Sequence, residues 1–420
     1  MTAAINAGKR KLGSCVWLLV LFLVSAGAAK SVTLRWATWG PQKVDTELIE
    51  AFEAAYPEVK IEYIFSSGTG EHHPKMKVLS AAGLAPDVFA VDGVYLAEFA
   101  STGLIQPLDH LINADRSFRL SDFFPASLPD VQYNGKTYGL PYISAPMYIL
   151  YNVNHVQEAG LPKPDVHWDW NTFVSYGRKL MRTVEGRVTR WATTGYLNRT
   201  ATHFEPWVWS AGGEVFDESK KRFLLTEPEA VAALDFLAEM QRTGLTGGGN
   251  FAQQTVSITR LYPGGFPTVT GVAWPFEWDV TLFPAGAGGQ YTIWKGNVMA
   301  MAPNTPHQEE AWQLIKFLLA PGQPGYSIYI KNKRFPPQTR DRDTWALFHT
   351  PGQDPVSLWE VTLLMAADYS RPLPQLVQWN DIMDQTLGPA LVQIQSGTVS
   401  ARVAMEQVKP IIESMLVNEP

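Results

Sequence analysis

The chain has 420 residues, 46% of them hydrophobic and 18% charged, with 15 Trp and a single Cys. That length allows two or three domains with an ample core, and dense aromatics with few charges exclude disorder and coiled coil. A formal net charge of -6 argues against a nucleic-acid binder, which works by neutralising phosphates.

Residues 1–29 have the layout of a secretory signal peptide. Lys9, Arg10 and Lys11 form the basic start, residues 12–24 the apolar run, and Ser25-Ala26-Gly27-Ala28-Ala29 the small-residue cleavage region. The run falls short of the roughly 20 apolar residues that span a bilayer, so cleavage is expected rather than a membrane anchor. Cys15 precedes most of the apolar run instead of following it, so no lipid anchor is expected. The mature chain then has no thiol for disulfides, catalysis or Cys-type zinc sites. Cleavage removes three basic residues and no acidic one, taking the net charge from -6 to -9. That suits a freely diffusing exported protein without a DNA or anionic-lipid partner.

The mature chain opens on a strand, with Val32, Leu34 and Trp36 in alternation. The phase makes Trp36 a core residue. A loop at Trp39-Gly40-Pro41 leads to an amphipathic helix with Val44, Leu48, Phe52 and Ala55 on one face, stopped at Tyr56-Pro57. Residues 60–65 read as a second strand, residues 76–82 as a helix, and residues 87–92 as a short apolar strand ending in Asp92-Gly93. This βαβαβ order predicts a parallel sheet covered on both faces. Ligands of such sheets bind at the carboxyl ends of the strands, here the Trp39 loop, the Ser66-Ser67-Gly68 loop and Asp92-Gly93.

Further on, residues 147–152 form an apolar strand able to cross between domains. Asp169 N-caps a helix starting at Trp170. Thr226-Glu227-Pro228-Glu229 and Thr305-Pro306-His307-Gln308 read as capping boxes. Ala311, Trp312, Ile315 and Leu319 carry the apolar face of the second of these helices. Gly247-Gly248-Gly249 and residues 284–289 read as surface loops. The last hundred residues are mostly helical, with proline-rich breaks.

Taken as an ordered set, several segments resemble the family-1 extracellular solute-binding proteins of ABC importers, which include maltodextrin- and glycerol-phosphate-binding proteins. The most specific is YGLPYISAPMYILYNVNHVQEAGLPKPDVHWDWNTF at residues 138–173, where Asp169 stands in the place of a common Thr. LRWATWG, APDVF at 85–89, GLIQPLD at 103–109, WSAGGEVFD at 209–217, EEAWQLIKFLL at 309–319 and Arg371-Pro372 leading to Trp379 follow the family order. The resemblance implies an α/β, two-lobe periplasmic-binding-protein fold, its discontinuous lobes joined by crossover strands around a ligand cleft. It places one lobe at 30–143 plus 292–333 and the other at 144–291 plus 334–420. It also implies sugar capture by lobe closure, delivery to permease subunits, a periplasmic location, a monomer, and neither catalysis nor a cofactor.

Enzyme motifs are missing: there is no G-x-x-x-x-G-K-[ST], H-E-x-x-H or G-x-S-x-G. His72-His73 lacks a third metal ligand and reads as a solvated loop pair. Asp341-Arg342-Asp343 reads as a polar turn. Aromatic residues near polar ones at loop positions suit a sugar, whose C–H faces pack on rings and whose hydroxyls bond carboxylates, amides and Arg. Trp39, Ser67 and Asp92 are candidates from the strand ends, with a core role for Trp39 and an N-cap for Asp92 as the plainer alternatives. The resemblance adds Ser144 near the first crossover, His203, Phe204 and Trp207 before Gly212-Gly213, and Tyr369, Arg371 and Trp379 at the cleft mouth. Trp274, Glu277 and Trp278 form the densest aromatic-plus-acid cluster; of these Trp274 and Glu277 are the ligand candidates. Arg371 keeps a glycerol-phosphate or phosphodiester ligand as an alternative. An exported glycoside hydrolase would need a carboxylate pair, for which Asp92 and Glu277 are the available couple.

Overall fold

The computed structural model describes residues 31–417, except 41, 199–202, 334 and 356. The expected signal peptide, with Cys15, and Pro41 of the first loop lie outside the described residues.

Two six-stranded sheets organise the chain. The first runs in the order Ser370–Arg371, Thr292–Met301, Val88–Asp92, Val32–Thr38, Val59–Phe65, with Gly139–Pro146 also paired to Thr292–Met301. Its three N-terminal strands are parallel, as the βαβαβ reading requires, and Thr292–Met301 runs antiparallel beside Val88–Asp92. All of Val88–Asp92 is buried, which is why it reads as a continuous apolar run rather than an alternating one. The second sheet runs Thr246–Gly247, Arg187–Thr194, Val256–Leu261, Tyr148–Asn152, Trp278–Thr281, with Arg182–Val184 paired to Arg187–Thr194. Arg187–Thr194 and Val256–Leu261 are parallel, so their carboxyl ends lie together. Tyr148–Asn152 is antiparallel to the latter, with Tyr148 opposite Leu261.

Three passages of chain meet between the sheets. Gly139–Pro146 runs directly into Tyr148–Asn152. At the joint, the Met147 N–H donates to the Ile293 carbonyl at 2.9 Å, and the Thr292 hydroxyl donates to the Met147 carbonyl at 2.6 Å. Ser370 and Arg371 pair with Thr292 and Ile293. One core, containing Trp207, Leu234 and Trp379, packs against the second sheet. Another joins Leu34, Phe52 and Trp294 with Tyr148 and Leu150. The helices Arg342–Phe348 and Ser357–Leu364 feed Trp345, Phe348, Leu358 and Val361 into this second core, so this part of the segment after residue 333 also packs with the first sheet's core.

Local structure departs from the sequence reading where a side chain finds a better partner. The helix Gln42–Ala55 buries Val44, Leu48 and Phe52 but leaves Ala55 exposed. The second helix begins at Thr69, not at residue 76, and runs to Ala81 with Pro74 inside it. The proline disguises it by removing one intrahelical donor. Thr226 does not cap Pro228–Arg242; Glu227 holds the N-cap position, and the Thr226 hydroxyl accepts from Lys409 Nζ at 3.3 Å. Gln308–Leu319 starts after His307 instead of Thr305, whose hydroxyl donates to Asp87 Oδ1 at 2.5 Å. Asp341 is no mere turn residue: it N-caps Arg342–Phe348, accepting from the Thr344 N–H at 2.8 Å. Gly247 pairs in the second sheet opposite Thr194 rather than in a loop.

Candidate functional site

The carboxyl ends of both sets of parallel strands open onto one cavity of about 280 Å³. Trp39, Thr69 and Asp92 approach from the first sheet's strand ends and Tyr262, Pro263 and Gly264 from the end of Val256–Leu261. The crossover strands supply Ile143, Ala145, Lys295 and Asn297, and Phe335-Pro336 closes one side.

Trp39 is half-buried. Its indole meets the His72 ring edge-on at 4.8 Å and the Tyr142 ring at 6.3 Å. The two histidines are fully buried, which overturns the solvated loop reading. His73 Nε2 accepts the Asp92 N–H at 2.9 Å, so its Nδ1–H donates to the Thr69 carbonyl at 2.9 Å. His72 Nε2 meets the Ala90 carbonyl at 2.8 Å and therefore donates, leaving Nδ1 to accept from the Ser66 hydroxyl at 3.2 Å. Every ring nitrogen is engaged and both imidazoles are neutral. Burial lowers both, His72 to about 4.

Asp92 is 9% exposed and does two things at once. Its Oδ1 accepts from the Val94 N–H at 3.2 Å as an N-cap, and its Oδ2 accepts from Lys295 Nζ at 3.2 Å. Lys295 and Asn297, two residues apart on one strand, face the cavity together, opposite a bulge in the neighbouring strand. Ala145 pairs with Lys295 and Tyr142 with Asn297, so Ile143 and Ser144 together oppose Gly296. A bulge re-aims side chains. Here Ile143 takes φ +48°, a left-handed conformation costly for a β-branched residue, and lines the cavity with Ala145.

Ser144 turns the other way. It is fully buried and accepts from Trp294 Nε1 at 2.6 Å, so it braces the crossover and does not line the cavity. Ser67 is also outside it: its N–H and hydroxyl bond Glu71 Oε2 at 2.9 and 2.6 Å at the helix start. His203 sits at the second sheet's strand ends, where it meets Asn198 at 2.8 Å and Arg260 Nη2 at 2.7 Å. Burial and the Arg260 charge push its pKa down to about 2. Phe204, Trp207 and Trp379 are core residues with no more than 1% exposure, and rings of Trp170, Phe173, Tyr196 and Phe236 surround Trp207. Tyr369 packs near His167. Arg371 grips Glu214 through two bonds of 2.9 and 2.8 Å and lies over the Trp209 ring at 4.6 Å.

Trp274 and Glu277 line a different hollow, about 660 Å³ in volume, with Lys163, Asp279 and Glu360. Trp278 pairs with Asn152 and Thr281 with Ile149, so this hollow lies at the end of the sheet remote from the Met147 crossover. Asp92 and Glu277 therefore do not share a cavity, and the carboxylate couple needed for glycoside hydrolysis is not assembled. Tyr262, Lys295 and Asn297 were missed by the sequence reading. Tyr262 was accessible to it, since it follows an apolar strand and precedes Pro263-Gly264-Gly265 just as Trp39 precedes Gly40-Pro41. Among the described residues no three His, Cys, Asp or Glu converge as a metal site would, and no helix is long and apolar enough to cross a membrane.

A cavity between two α/β sheets, lined by the carboxyl ends of strands from both and floored by the crossovers, defines the two-lobe solute-binding fold. The chain belongs to the bacterial extracellular solute-binding protein family, whose model matches residues 38–323. An uncharacterised lipoprotein encoded in the oleD 5′ region of Streptomyces antibioticus is 29% identical over 336 residues, covering 74% of this chain and 72% of that protein. An ABC substrate-binding protein of Listeria monocytogenes, solved in complex with cycloalternan, superposes with a TM-score of 0.78 at 20% identity over 93% of this chain and 100% of that one. UgpB of Mycobacterium tuberculosis, in complex with glycerophosphocholine, gives 0.77 at 20% identity over 92% and 99%.

Proposed function

We propose that this protein is the substrate-binding subunit of an ABC sugar importer, exported to the periplasm as a monomer, which captures a sugar or a related polyol in the cavity between its lobes. The observation that carries the reading is the pairing of Trp39 and Tyr262, one from each sheet, around Asp92 and Asn297. Aromatic faces suit the C–H faces of a sugar, and a carboxylate and an amide suit its hydroxyls. A ligand touching both lobes favours the closed arrangement through differential affinity, and the closed form presents a surface to the membrane permease. A micromolar ligand needs about 8 kcal/mol, within reach of two ring contacts and a few shared hydrogen bonds. No reaction is catalysed on this protein.

A phosphodiester is the second ligand class. The UgpB neighbour was solved with glycerophosphocholine, and Lys295, paired with Asp92, is a cation that lines the cavity. The deciding experiment is titration of the mature protein with sugars, polyols and glycerol phosphates, followed by tryptophan fluorescence. Saturable change with one class, weakened in Trp39→Ala, supports the reading; a folded protein that responds to none of them ends it.

A further inference from the structure

Among the described residues that line the cavity, the charges balance each other. Asp92 and Lys295 are the acid and base that line it, and they meet each other at 3.2 Å. The two histidines behind Trp39 are neutral by their hydrogen bonds. Asp130, packed against the same turn, is 1% exposed and accepts from the Gly296 N–H. Among the described residues, an incoming anion would find Lys295 already occupied and a carboxylate beside it, so it would lose its hydration without gaining an unpaired cation there.

Asn297 is in the opposite condition. The residue is 8% exposed and lines the cavity, and among the described residues its carboxamide makes no hydrogen bond. Its carboxamide atoms are open to the cavity, where a ligand can take the place of the solvent they meet. It offers donors on nitrogen and an acceptor on oxygen. Two neighbouring hydroxyls match both, one accepting and one donating, whereas a phosphate oxygen satisfies only the donors. The space is also small. A hexose at organic-crystal density fills roughly 200 Å³, against about 280 Å³ here.

Building on the proposed reading of this cavity as the ligand site, we infer that it takes an uncharged polyol of one sugar ring, with a pair of hydroxyls on Asn297, and that the Asp92–Lys295 pair turns phosphorylated ligands away. Asn297 is the specificity-determining residue, and Asp92 keeps Lys295 from serving as an anion site.

Calorimetric titration of the mature protein against monosaccharides, disaccharides, maltohexaose, glycerol 3-phosphate and glycerophosphocholine tests this. The expected result is a neutral monosaccharide binding at least about tenfold tighter than either phosphorylated ligand. Asn297→Leu should lower that affinity about tenfold or more without changing the melting temperature. Asp92→Asn keeps an oxygen to cap Val94 but frees Lys295, and should narrow the gap between glycerol 3-phosphate and the sugar. Tightest binding of a phosphorylated ligand or of any sugar longer than one ring by the unaltered protein, or sugar binding that survives Asn297→Leu, overturns the inference while leaving a solute-binding cavity in place. A folded protein that binds nothing in the panel overturns the cavity reading itself.

Discussion

His73 Nε2 accepts the backbone N–H of Asp92 at 2.9 Å, so a neutral imidazole on the helix Thr69–Ala81 holds the acid of the cavity in position. His72, beside it, props the Trp39 indole at 4.8 Å. Both rings are lowered from their ordinary value, chiefly by burial, with His72 at about 4. The unfolded chain titrates near 6.5, as free histidine does. A depressed folded value means that the histidines contribute stability fully above pH 6.5. That contribution falls as the unfolded chain takes up protons the folded one refuses, and is lost as pH drops through the folded value. For His72 the loss between pH 7 and pH 4 is on the order of 2–3 kcal/mol. Chemical denaturation at pH 7.5 and pH 5 should show the native protein losing stability over that interval. His72→Gln, which keeps a donor for the Ala90 carbonyl, should lose less. Equal losses in both proteins would mean that other groups set the acid sensitivity.

The positions of the aromatic residues separate two models of the ligand site. If the cavity at the strand ends is where the solute binds, Trp39→Ala and Tyr262→Ala each weaken binding by about 1–2 kcal/mol, roughly five- to thirtyfold. Trp274→Ala, in the hollow at the far end of the second sheet, should leave affinity within about twofold. Isothermal titration of the three variants with one ligand decides it. A Trp274→Ala loss matching that of Trp39→Ala would place the solute in the remote hollow instead.

The three N-terminal strands of the first sheet were legible because each ends in a recognisable break, and the strand-end rule picked out Trp39 and Asp92 directly. The same rule reaches Tyr262, but the denser Trp274-Glu277-Trp278 cluster outweighed it in the sequence, where local density is visible and the direction of a strand is not. Lys295 and Asn297 are harder to find. They share one face of the strand Thr292–Met301, but that this face meets the cavity depends on pairing with residues some 150 positions away. The aromatic run at Trp207 misled for a different reason: a core packed with rings and a binding site lined with them have the same composition. What separates them is exposure, which is decided by Phe173 and Tyr196 closing over Trp207 from other elements.

Arg371 gives a clean test of structural against ligand-binding roles. Its two bonds to Glu214 and its position over Trp209 tie the short strand Ser370–Arg371 to the end of the helix Glu205–Ala211. Both partners are about a third or more exposed, so solvent screening limits the pair to about 1 kcal/mol, cation–π contact included. Arg371→Met should lower the unfolding midpoint by a few degrees, roughly 2–4 °C, with no change in ligand affinity. A large drop in glycerol 3-phosphate affinity without a stability change would instead make Arg371 an anion-binding residue.

The crossover region is built on close backbone approach, and Gly93 is where this is tightest. A Cβ at that position would lie 2.4 Å from the Gly296 carbonyl oxygen, a backbone atom that cannot swing aside as a side-chain tip could. Gly93 follows Asp92 directly, and Gly296 stands between Lys295 and Asn297, so the contact fixes the cavity's acid against its base and its amide. Gly93→Ala forces these segments apart and should cost about 1–3 kcal/mol of stability. It should also weaken ligand binding, although residue 93 itself need not touch the solute, because Asp92 and Asn297 can no longer hold their spacing. Gly264→Ala is the matched control: it lies on the cavity wall, and an added Cβ there meets nothing within 4 Å. Urea unfolding and titration of both variants should show loss of stability and affinity together in Gly93→Ala and no loss of stability in Gly264→Ala. A Gly93→Ala protein with native stability would show that the two crossover segments can separate freely, and the spacing of Asp92 and Asn297 would then have to be set by the ligand.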